Sequence, residues 1–497
     1  MKAIMLQGTA SDVGKSVLST AFCRYFLEEG FRVAPFKSQN MALNSYVTLD
    51  GGEIGRSQGV QAEAAGIDAT VDMNPVLLKP KGDMVTEVIV HGRHFADVDA
   101  RSYRGSVLDQ VLGPIRESLD RLSREYEVLV IEGAGSPAEI NLKNRDVVNM
   151  RIARMANAPV LLVADIERGG VFASIVGTLE LLEPEDRARV KGIVINKFRG
   201  SKEVLEPGID WMEKRTGVPV LGVLPHVEIG IDPEDSMSLD TLQLKGTRQA
   251  KDALDVAVIR FPRISNFTDF LPLMKVADIS VRYVKSVCEL GQPDILILPG
   301  TKNTMDDLDW LKQTGLATEI LRLKQQHVFV TGICGGYQML GKKLSDPDGI
   351  ESDRKEQEGL DLLPVETRFV ADKQTARIQG QPLVSWGGPE PVAGYEIHMG
   401  RTRLSTGASP LFRLSDDRLE GAVSEDGAVW GTCLHGVFDN PAFTNSWLNR
   451  IRRIKGLPQQ DENTSNRQQS REEIYQFLSQ WVRKHLDMEK VKEIMKL

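Results

Sequence analysis

The stretch TGICGG and a histidine far downstream have the residue types of a thiol-based catalytic site. Cys334 follows a short apolar run and precedes two glycines and a helical pattern, so the sequence predicts a strand–turn–helix elbow around it. A helix N-terminus favours the nucleophilic thiolate. His435 follows a second apolar run and would take the thiol proton and return it to the departing group. The pair predicts nucleophilic attack by the thiol, whereas the alternative for Cys334 is a small buried thiol.

Glycines beside the predicted nucleophile indicate where a developing negative charge on oxygen would be stabilised. The backbone N–H of Gly335 and one from the turn that contains Gly300 would form an oxyanion hole. The other cysteines, Cys23, Cys288 and Cys433, lack such surroundings and are expected to be core residues.

A glycine-rich segment near the N-terminus, GTASDVGKS, lies between an apolar run and a helical pattern. Backbone amides of such a loop converge on phosphate oxygens, and the helix N-terminus adds a favourable field. Lys15 would neutralise the β- and γ-phosphates of ATP, and the Ser16 hydroxyl would bind Mg²⁺. Five residues, not the usual four, separate Gly8 from Gly14, so Thr9 takes the first-glycine position. The predicted ATP-binding residues of the loop are Gly8, Thr9, Val13, Gly14, Lys15 and Ser16.

Three charged residues are candidates for the same site. Glu132 ends the apolar run VLVIE, and ligands bind at strand ends in parallel α/β sheets, so it is a candidate Mg²⁺ ligand. Lys37 ends another run and would contact the transferring phosphoryl group or a carboxylate, with a structural salt bridge as the alternative. Arg168 follows a third run and would hold a substrate carboxylate by a two-point bond, with a local ion pair as the alternative.

The elements that must position these residues are visible as apolar runs without polar alternation. Runs rich in Val, Ile and Leu are typical of strands buried on both faces of a parallel sheet. They occur in the first half at 3–7, 127–135, 158–166, 190–197 and 218–225, and in the second half at 254–261, 294–300, 327–336 and 428–436. The predicted fold class is α/β. The predicted segments are a first domain at 1–230, a linker at 231–252, a second domain at 253–450, and a hinge with an amphipathic C-terminal helix at 451–497.

Whole-chain properties restrict the class of protein. The net charge is −8 and no block is rich in Lys and Arg, which argues against a nucleic-acid partner. No apolar stretch reaches the ~18 residues of a membrane span, and the N-terminal segment does not resemble a signal peptide. The four cysteines form no CxxC pair, as expected for a reducing cytosol. We therefore expect a cytoplasmic protein without a membrane partner, and its oligomeric state stays open.

Both sets of motifs resemble known families. The loop GTxxxVGKS is similar to that of dethiobiotin synthetase and its relatives, which phosphorylate a carboxylate or carbamate. That resemblance implies that Asn196 recognises the adenine edge, with a turn-forming role as the alternative. The stretches DILILPGTKNT, TGICGGYQML and TCLHGVF resemble class I glutamine amidotransferases. Those enzymes usually carry His-Pro-Glu where this chain has His435-Gly436-Val437, so a Cys–His dyad or a carboxylate from elsewhere, such as Glu396, is expected.

The combination of a phosphate-loop domain and a glutaminase domain resembles the cobyric acid synthase family, of the CobB/CobQ type, over nearly the whole chain. The segments 36–45, 165–173, 298–304 and 394–400 carry the most specific similarity. The resemblance implies a carboxylate-activating domain that resembles dethiobiotin synthetase, followed by a class I amidotransferase-like domain.

The implied reaction is amidation of the b, d, e and g side-chain carboxylates of adenosylcobyrinic acid a,c-diamide. Each cycle would use one glutamine and one ATP with Mg²⁺, so the partners are a corrinoid carboxylate and L-glutamine. Four alternatives stay open: the a,c-diamide synthase, a peptidoglycan-amidating relative, a regulatory ATPase with an inactive glutaminase module, and a corrinoid-binding protein.

Overall fold

The computed structural model describes residues 1–82, 85–99, 107–227, 253–460 and 467–497. The predicted linker at 231–252 lies outside these residues. Within the described ranges, no helix combines the length and apolar character needed to cross a bilayer.

The first half is built on a sheet of six parallel strands whose side chains are mostly buried. The strand order from one edge is Val220–Pro225, Val190–Phe198, Val160–Asp165, Lys2–Gly8, Val128–Glu132 and Val33–Phe36. The helices of this half are Lys15–Glu28, Arg56–Ala64, Leu108–Glu125, Met150–Met155, Val171–Leu181, Pro184–Arg187 and Lys202–Thr216. Since ligands of parallel sheets bind beyond the carboxyl ends of central strands, the loop after Gly8 lies at the expected binding edge.

The first helix, Lys15–Glu28, begins after Gly14, which has φ 97°. Its C-terminus is closed by two backbone bonds, from Gly30 to the carbonyl of Leu27 and from Phe31 to the carbonyl of Phe26. Gly30 has φ 88°, a conformation that glycine adopts without strain, so the helix stops there.

A small sheet and a hairpin extend the first half between its second strand and the helix at 108–125. The sheet contains Gln39–Met41, Val76–Gly82, Val85–Val90 and Arg93–Asp99, and the hairpin pairs Ser45–Val47 with Glu53–Gly55. Hydrogen bonds and ion pairs join this region to the second half of the chain.

The second half contains a parallel sheet and a second, mostly antiparallel sheet. In the first of these, the strand order is Ile279–Val284, Leu254–Ile259, Ile295–Leu298, Phe329–Ile333, Val429–Thr432 and the antiparallel edge strand Ala422–Val423. The other contains Glu356–Glu358, Lys343–Ser345, Val365–Pro382, Phe412–Leu414 and Leu419–Glu420, with Val392–Leu404 paired to the long strand. The helices are Leu271–Met274, Val287–Leu290, Thr304–Gln313, Leu316–Gln325, Gly335–Met339 and Pro441–Lys455.

Two C-terminal helices, Arg467–His485 and Met488–Met495, return to the first half. The sequence pattern had predicted a single helix there. Leu478 and Val482 are fully buried in one apolar cluster with Phe22 and Phe26 of the first helix. The N-terminal sheet therefore has one of its covering layers supplied by the end of the chain.

The predicted α/β fold class is confirmed by these two parallel sheets. Each predicted apolar run forms a strand, and the phosphate loop and the Cys334 turn both follow a strand's carboxyl end. The two turns therefore occupy the positions in each half where parallel sheets bind ligands.

Candidate active site

Cys334 lies at a sharp turn between the strand Phe329–Ile333 and the helix Gly335–Met339. Its backbone has φ 50° and ψ −111°, an unfavourable conformation for a residue with a β-carbon. The turn is held by a 2.8 Å bond from the Cys334 N–H to the carbonyl of Thr432 and a 3.1 Å bond from the Gly336 N–H to the carbonyl of Pro299. A β-carbon on Gly336 would lie 1.9 Å from the carbonyl oxygen of Leu298, so this position requires glycine.

His435 is close enough to Cys334 for the sulfur to raise the pKa of the imidazole. The imidazole is fully buried and stacks on the ring of Tyr395, with 5.2 Å between ring centroids and 17° between planes. Paired backbone bonds of 2.9 and 3.1 Å between these two residues fix the same arrangement. Burial, the stacked ring and the backbone bonds together restrict the orientation of the imidazole.

A carboxylate orients the imidazole from its other nitrogen. Asp269 accepts a 2.7 Å hydrogen bond from Nδ1 of His435 through Oδ2, and its Oδ1 accepts a 3.1 Å bond from the Gly436 N–H. Asp269 belongs to the short 3₁₀ helix Phe267–Phe270 and is 4% exposed. With Nδ1 held by Asp269, Nε2 is the nitrogen that faces the thiol.

The charge state of His435 follows from these neighbours. Burial lowers the pKa of the imidazole, but Asp269 and the sulfur of Cys334 outweigh burial and raise it to about 10. His435 is therefore an imidazolium at neutral pH, able to protonate a departing nitrogen. An imidazolium against a sulfur atom is the charge arrangement that a nucleophilic thiolate needs.

Both glycines predicted for the oxyanion hole lie beside this pair. A β-carbon on Gly300 would be 3.1 Å from Cε1 of His435, and one on Gly335 would be 2.7 Å from the side chain of Thr301. The structure thus brings together Cys334, His435, Gly300 and Gly335, and the roles of the two glycines stay predictions.

Glu396, the carboxylate that sequence had offered as a partner of His435, bonds elsewhere. Its oxygens accept bonds of 2.6 and 3.2 Å from Arg418, and one lies 3.5 Å from His398. Asp269, and not Glu396, is the carboxylate on the imidazole.

The remaining cysteines divide into two kinds. Cys23 and Cys433 are buried, as predicted, and burial raises the pKa of both thiols. Cys288 is exposed on the short helix Val287–Leu290, so the prediction that it belongs to the core was wrong. A short polar–apolar segment such as KSVCEL does not distinguish a surface helix from a buried one.

The phosphate loop is folded around the amino group of Lys15. Its Nζ donates to the carbonyls of Ala10 at 3.0 Å and Gly135 at 3.3 Å. A β-carbon on Gly8 would lie 2.7 Å from the Ala10 carbonyl and 2.8 Å from that Nζ, so the loop closes only over glycine. The Thr9 N–H donates to the carbonyl of Val163 at 2.9 Å, which ties the loop to the neighbouring strand.

Glu132 is the centre of a buried polar group next to the loop. Its Oε1 accepts bonds from Ser16 Oγ at 2.8 Å and from Lys37 Nζ at 2.9 Å, and its Oε2 accepts one from Gln61 Nε2 at 2.6 Å. A hydroxyl and a carboxylate oxygen are the ligand types that Mg²⁺ takes from a protein when substrate phosphates and waters complete its shell. These two residues therefore fit the predicted ion, although no group of three or more His, Cys, Asp or Glu among the described residues forms a metal cage.

Asn196 and Arg168 lie at the edge of the same site. The Asn196 amide donates from Nδ2 to the carbonyl of Val13 at 2.8 Å, and its Oδ1 accepts a 2.8 Å bond from the Lys197 N–H. Both of its groups are thus bonded within the protein, and its role at adenine stays a prediction. Arg168 is largely exposed and lies 4.0 Å from both Asp12 and Asp165, so it can reach an anion at the loop.

Sequence reasoning missed Asp269 and Gln61. Asp269 is 166 positions from His435 in the chain, inside the segment SNFTDF, which has no catalytic pattern. Gln61 is on the polar helix Arg56–Ala64, whose buried face carries amides and small residues. Buried polar side chains on this helix indicate that it borders a site, but the sequence alone shows only that the helix is polar.

Comparisons with known proteins agree with both halves of the site. A family model described as CobQ/CobB/MinD/ParA nucleotide binding domain matches residues 4–239, and one described as CobB/CobQ-like glutamine amidotransferase domain matches residues 255–443. Among solved structures, PurLQS from Thermotoga maritima is 19% identical over 40% of this chain and 99% of its own, with a TM-score of 0.32, which is too low to support an inference.

Curated relatives match from end to end. A protein of Geobacillus sp. (strain WCH70) named cobyric acid synthase is 52% identical over 99% of this chain and 97% of its own length. Proteins of the same name from Desulforamulus reducens and Yersinia enterocolitica are 51% and 49% identical, over 100% and 99% of this chain and 98% of each relative. The predicted nucleotide-binding and glutamine amidotransferase functions are thereby confirmed, and the chain belongs to the cobyric acid synthase family.

Proposed function

We propose that this chain converts adenosylcobyrinic acid a,c-diamide to cobyric acid by amidating the b, d, e and g carboxylates with glutamine and ATP. The observation that carries the proposal is a thiol–imidazole–carboxylate site and a phosphate loop in one chain, aligned end to end with cobyric acid synthases. Neither site alone requires this reaction, because each occurs in proteins of other function.

The first half activates the carboxylate. A carboxylate is a poor acyl donor because its oxygen is a poor leaving group, and transfer of the γ-phosphoryl group to that oxygen gives an acyl phosphate and ADP. Lys15 and the loop amides hold the phosphates, and Lys37 neutralises charge on the transferring group. Ser16 and Glu132 would hold Mg²⁺, which would supply positive charge to offset that of the phosphates.

The second half releases ammonia. The Cys334 sulfur attacks the side-chain amide carbon of glutamine, and backbone N–H groups near Gly300 and Gly335 stabilise the oxygen that becomes negative. The His435 imidazolium gives its proton to the nitrogen, and the C–N bond breaks to release ammonia. The glutamine carbonyl carbon then stays bonded to the Cys334 sulfur as a thioester. His435 then takes a proton from water, which attacks the thioester and releases glutamate.

The two reactions are joined when ammonia from the glutaminase half attacks the acyl phosphate and displaces phosphate, forming the new amide. At pH 7 free ammonia is mostly protonated and unreactive, so a sheltered passage between the sites is expected rather than release to solvent.

The test is an amidation assay with the a,c-diamide, ATP and Mg²⁺, with glutamine or ammonium as the nitrogen source. Wild type should use both. The Cys334→Ala variant should lose glutamine-driven turnover by roughly 10³-fold or more and keep ammonium-driven turnover, since only the thioester step is removed. The matched Lys15→Met variant should lose amidation with either source.

Two results would contradict the proposal. Full glutamine use by Cys334→Ala would exclude this thiol as the nucleophile. Turnover of cobyrinic acid at its a and c carboxylates, with no turnover of the a,c-diamide, would assign the chain to the alternative diamide synthase.

A further inference from the structure

The short 3₁₀ helix Phe267–Phe270 and the preceding Asn266 are linked to the His435 imidazole through Asp269. Asn266 begins this turn in the left-handed conformation, with φ 49° and ψ 37°. The Asp269 N–H donates to the Asn266 carbonyl at 3.0 Å. Because Asp269 in turn bonds His435, a shift of Asn266 would move the carboxylate that orients the catalytic imidazole.

Two residues of the nucleotide-binding half hold the beginning of this turn. Oδ1 of Asn44 accepts a 3.2 Å bond from the Phe267 N–H, and the Ser45 N–H donates to Oδ1 of Asn266 at 3.0 Å. Asn44 and Ser45 are fully buried, and Asn266 is 3% exposed. These bonds are shielded from water, so their loss would not be compensated by solvent.

The Ser45 bond also fixes which way the Asn266 amide points. A backbone N–H can only donate, so the amide oxygen must face Ser45. The amide nitrogen then lies 3.4 Å from Nε2 of His435, where it can donate a hydrogen bond only after the imidazolium has given up its Nε2 proton. One side chain thereby lies between a backbone amide of the nucleotide-binding half and the nitrogen that faces the nucleophile.

A second attachment lies on the oxyanion side of the glutaminase site. Lys302, which directly follows the turn at 299–301, pairs with Glu87 at 2.7 Å, and Lys373 pairs with Glu53 at 2.5 Å. Both glutamates belong to the nucleotide-binding half and are at most 1% exposed. The Ser45 hydroxyl donates to Glu53 at 2.6 Å, so the two attachments share this hairpin.

The same hairpin is connected to the nucleotide site. The carbonyl of Asn44 accepts a 3.2 Å bond from the Arg56 N–H, at the start of the helix Arg56–Ala64. Gln61 of that helix donates to Glu132 at 2.6 Å. A continuous set of buried bonds therefore runs from the expected Mg²⁺ ligand to the general base of the glutaminase.

We infer that Asn44 and Ser45, residues of the nucleotide-binding half, act with Asn266 as positioning residues for glutamine hydrolysis. The inference rests on the proposed function, because it assumes that Cys334 hydrolyses glutamine. Asn44 and Ser45 act through the turn at 266–269 and touch no reacting atom, whereas the Asn266 amide also contacts Nε2 of His435. Glutamine hydrolysis then requires the two halves to be docked through this contact.

The experiment compares full-length Asn44→Ala and Asn266→Gly with wild type in glutamine-driven and ammonium-driven amidation. Asn266→Gly keeps the left-handed backbone and removes only the side chain. Both variants should lose glutamine-driven turnover by roughly 10²-fold, the effect of a misplaced catalytic group, and keep ammonium-driven turnover near the wild-type rate. The pH dependence of glutamine hydrolysis should also shift, because His435 would be less firmly paired with Asp269.

The control is Thr48→Val, which removes a part-buried bond from the Thr48 hydroxyl to Asp50 and a buried bond that this hydroxyl accepts from the Gly52 N–H, within the same hairpin. It should lower the melting temperature and leave the ratio of the two turnover rates unchanged. The inference is overturned if Asn44→Ala and Asn266→Gly keep the wild-type ratio and pH profile, or lose both turnover rates in parallel. If Cys334→Ala also uses glutamine fully, the proposed function itself has failed, and that outcome is separate.

Discussion

The carboxylate of Asp269 illustrates how much a single residue determines at this site. Its two oxygens bond different partners, the Nδ1–H of His435 and the Gly436 N–H. It therefore fixes the position of the imidazole, keeps a proton on Nδ1 and stabilises the positive charge of the ring. Without the bond from Nδ1 to Asp269, the ring would be free to turn and present Nδ1 instead of Nε2 to the thiol.

Replacement of Asp269 by Asn should abolish most glutamine use. An amide that keeps its oxygen toward Gly436 places its NH₂ group against Nδ1, so the ring stays neutral with its one proton on Nε2 and no basic nitrogen faces Cys334. Glutamine-driven turnover should fall by roughly 10²- to 10⁴-fold, with ammonium-driven turnover retained. Steady-state assays with the two nitrogen sources measure this.

The same variant has a signature in stability. The folded-state pKa of His435 is about 10, above its unfolded value of about 6.5. The pair therefore stabilises the fold fully below about pH 6.5, and the stabilisation is lost as pH rises toward 10. The difference in melting temperature between wild type and Asp269→Asn should be largest near pH 6 and shrink toward pH 10. A difference independent of pH would contradict the assigned ion pair.

The residues that sequence identified at the two sites share a local pattern, whereas Asp269, which it missed, has none. Cys334 and Lys15 are flanked by glycines and follow strands, so their neighbours in the chain reveal them. Asp269 is near its partner only because the fold brings together segments that are 166 positions apart in the chain. Sequence correctly indicated that the carboxylate after His435 was missing, but the replacement depends on tertiary packing that a single sequence does not encode locally.

At the scale of elements, the elbow depends on how closely its helix approaches the neighbouring strand. Gly336 lies where a β-carbon would be 1.9 Å from the backbone oxygen of Leu298, the last residue of the strand before the oxyanion turn. Because Gly336 has no β-carbon, the turn at Cys334 can lie this close to the turn at 299–301, which was predicted to contribute to the oxyanion hole. Apolar runs predicted both strands, but their spacing in space was not predictable from sequence.

Substitution of Gly336 by Ala should separate the elbow from that turn. The backbone must shift, so we expect a loss of about 1–3 kcal/mol in the free energy of unfolding and little glutamine-driven turnover. Urea unfolding and the glutamine assay measure these changes.

Gly177→Ala is the matched control. Gly177 is inside the helix Val171–Leu181, and a β-carbon there meets nothing within 4 Å. Alanine should stabilise this helix by about 0.5–1 kcal/mol and leave turnover unchanged. Equal effects of the two substitutions would show that the Gly336 contact is not limiting.

At the scale of the whole molecule, the C-terminal helices pack against the nucleotide-binding half, which the N-terminal part of the chain forms. The helix Arg467–His485 packs on the helix Lys15–Glu28, whose N-terminus carries the phosphate loop. Arg24 forms an ion pair with Glu472, and Arg483 pairs with Glu29 at 2.7 Å. Sequence predicted this amphipathic helix, but its partner was not predictable because the apolar stripe does not specify which surface it covers.

Leu478→Ala should therefore destabilise the nucleotide-binding half. Leu478 is fully buried against the first helix, so its truncation should cost about 2–5 kcal/mol in the free energy of unfolding. Thermal unfolding with and without ADP measures the effect. Phe477→Ala is the control, because this neighbouring side chain is 47% exposed and its loss should change stability little. Similar losses from both would contradict the packing described.

This return of the C-terminal helices has a consequence for synthesis on the ribosome. Leu6, Val128 and Val163 of the first sheet belong to the cluster that Leu478 and Trp481 complete. That layer emerges only after the entire glutaminase half, roughly 10–50 s later at a translation rate of about 5–20 residues per second. Nascent chains should therefore expose an apolar face throughout this interval, which makes them substrates for chaperones until the two helices have been synthesised.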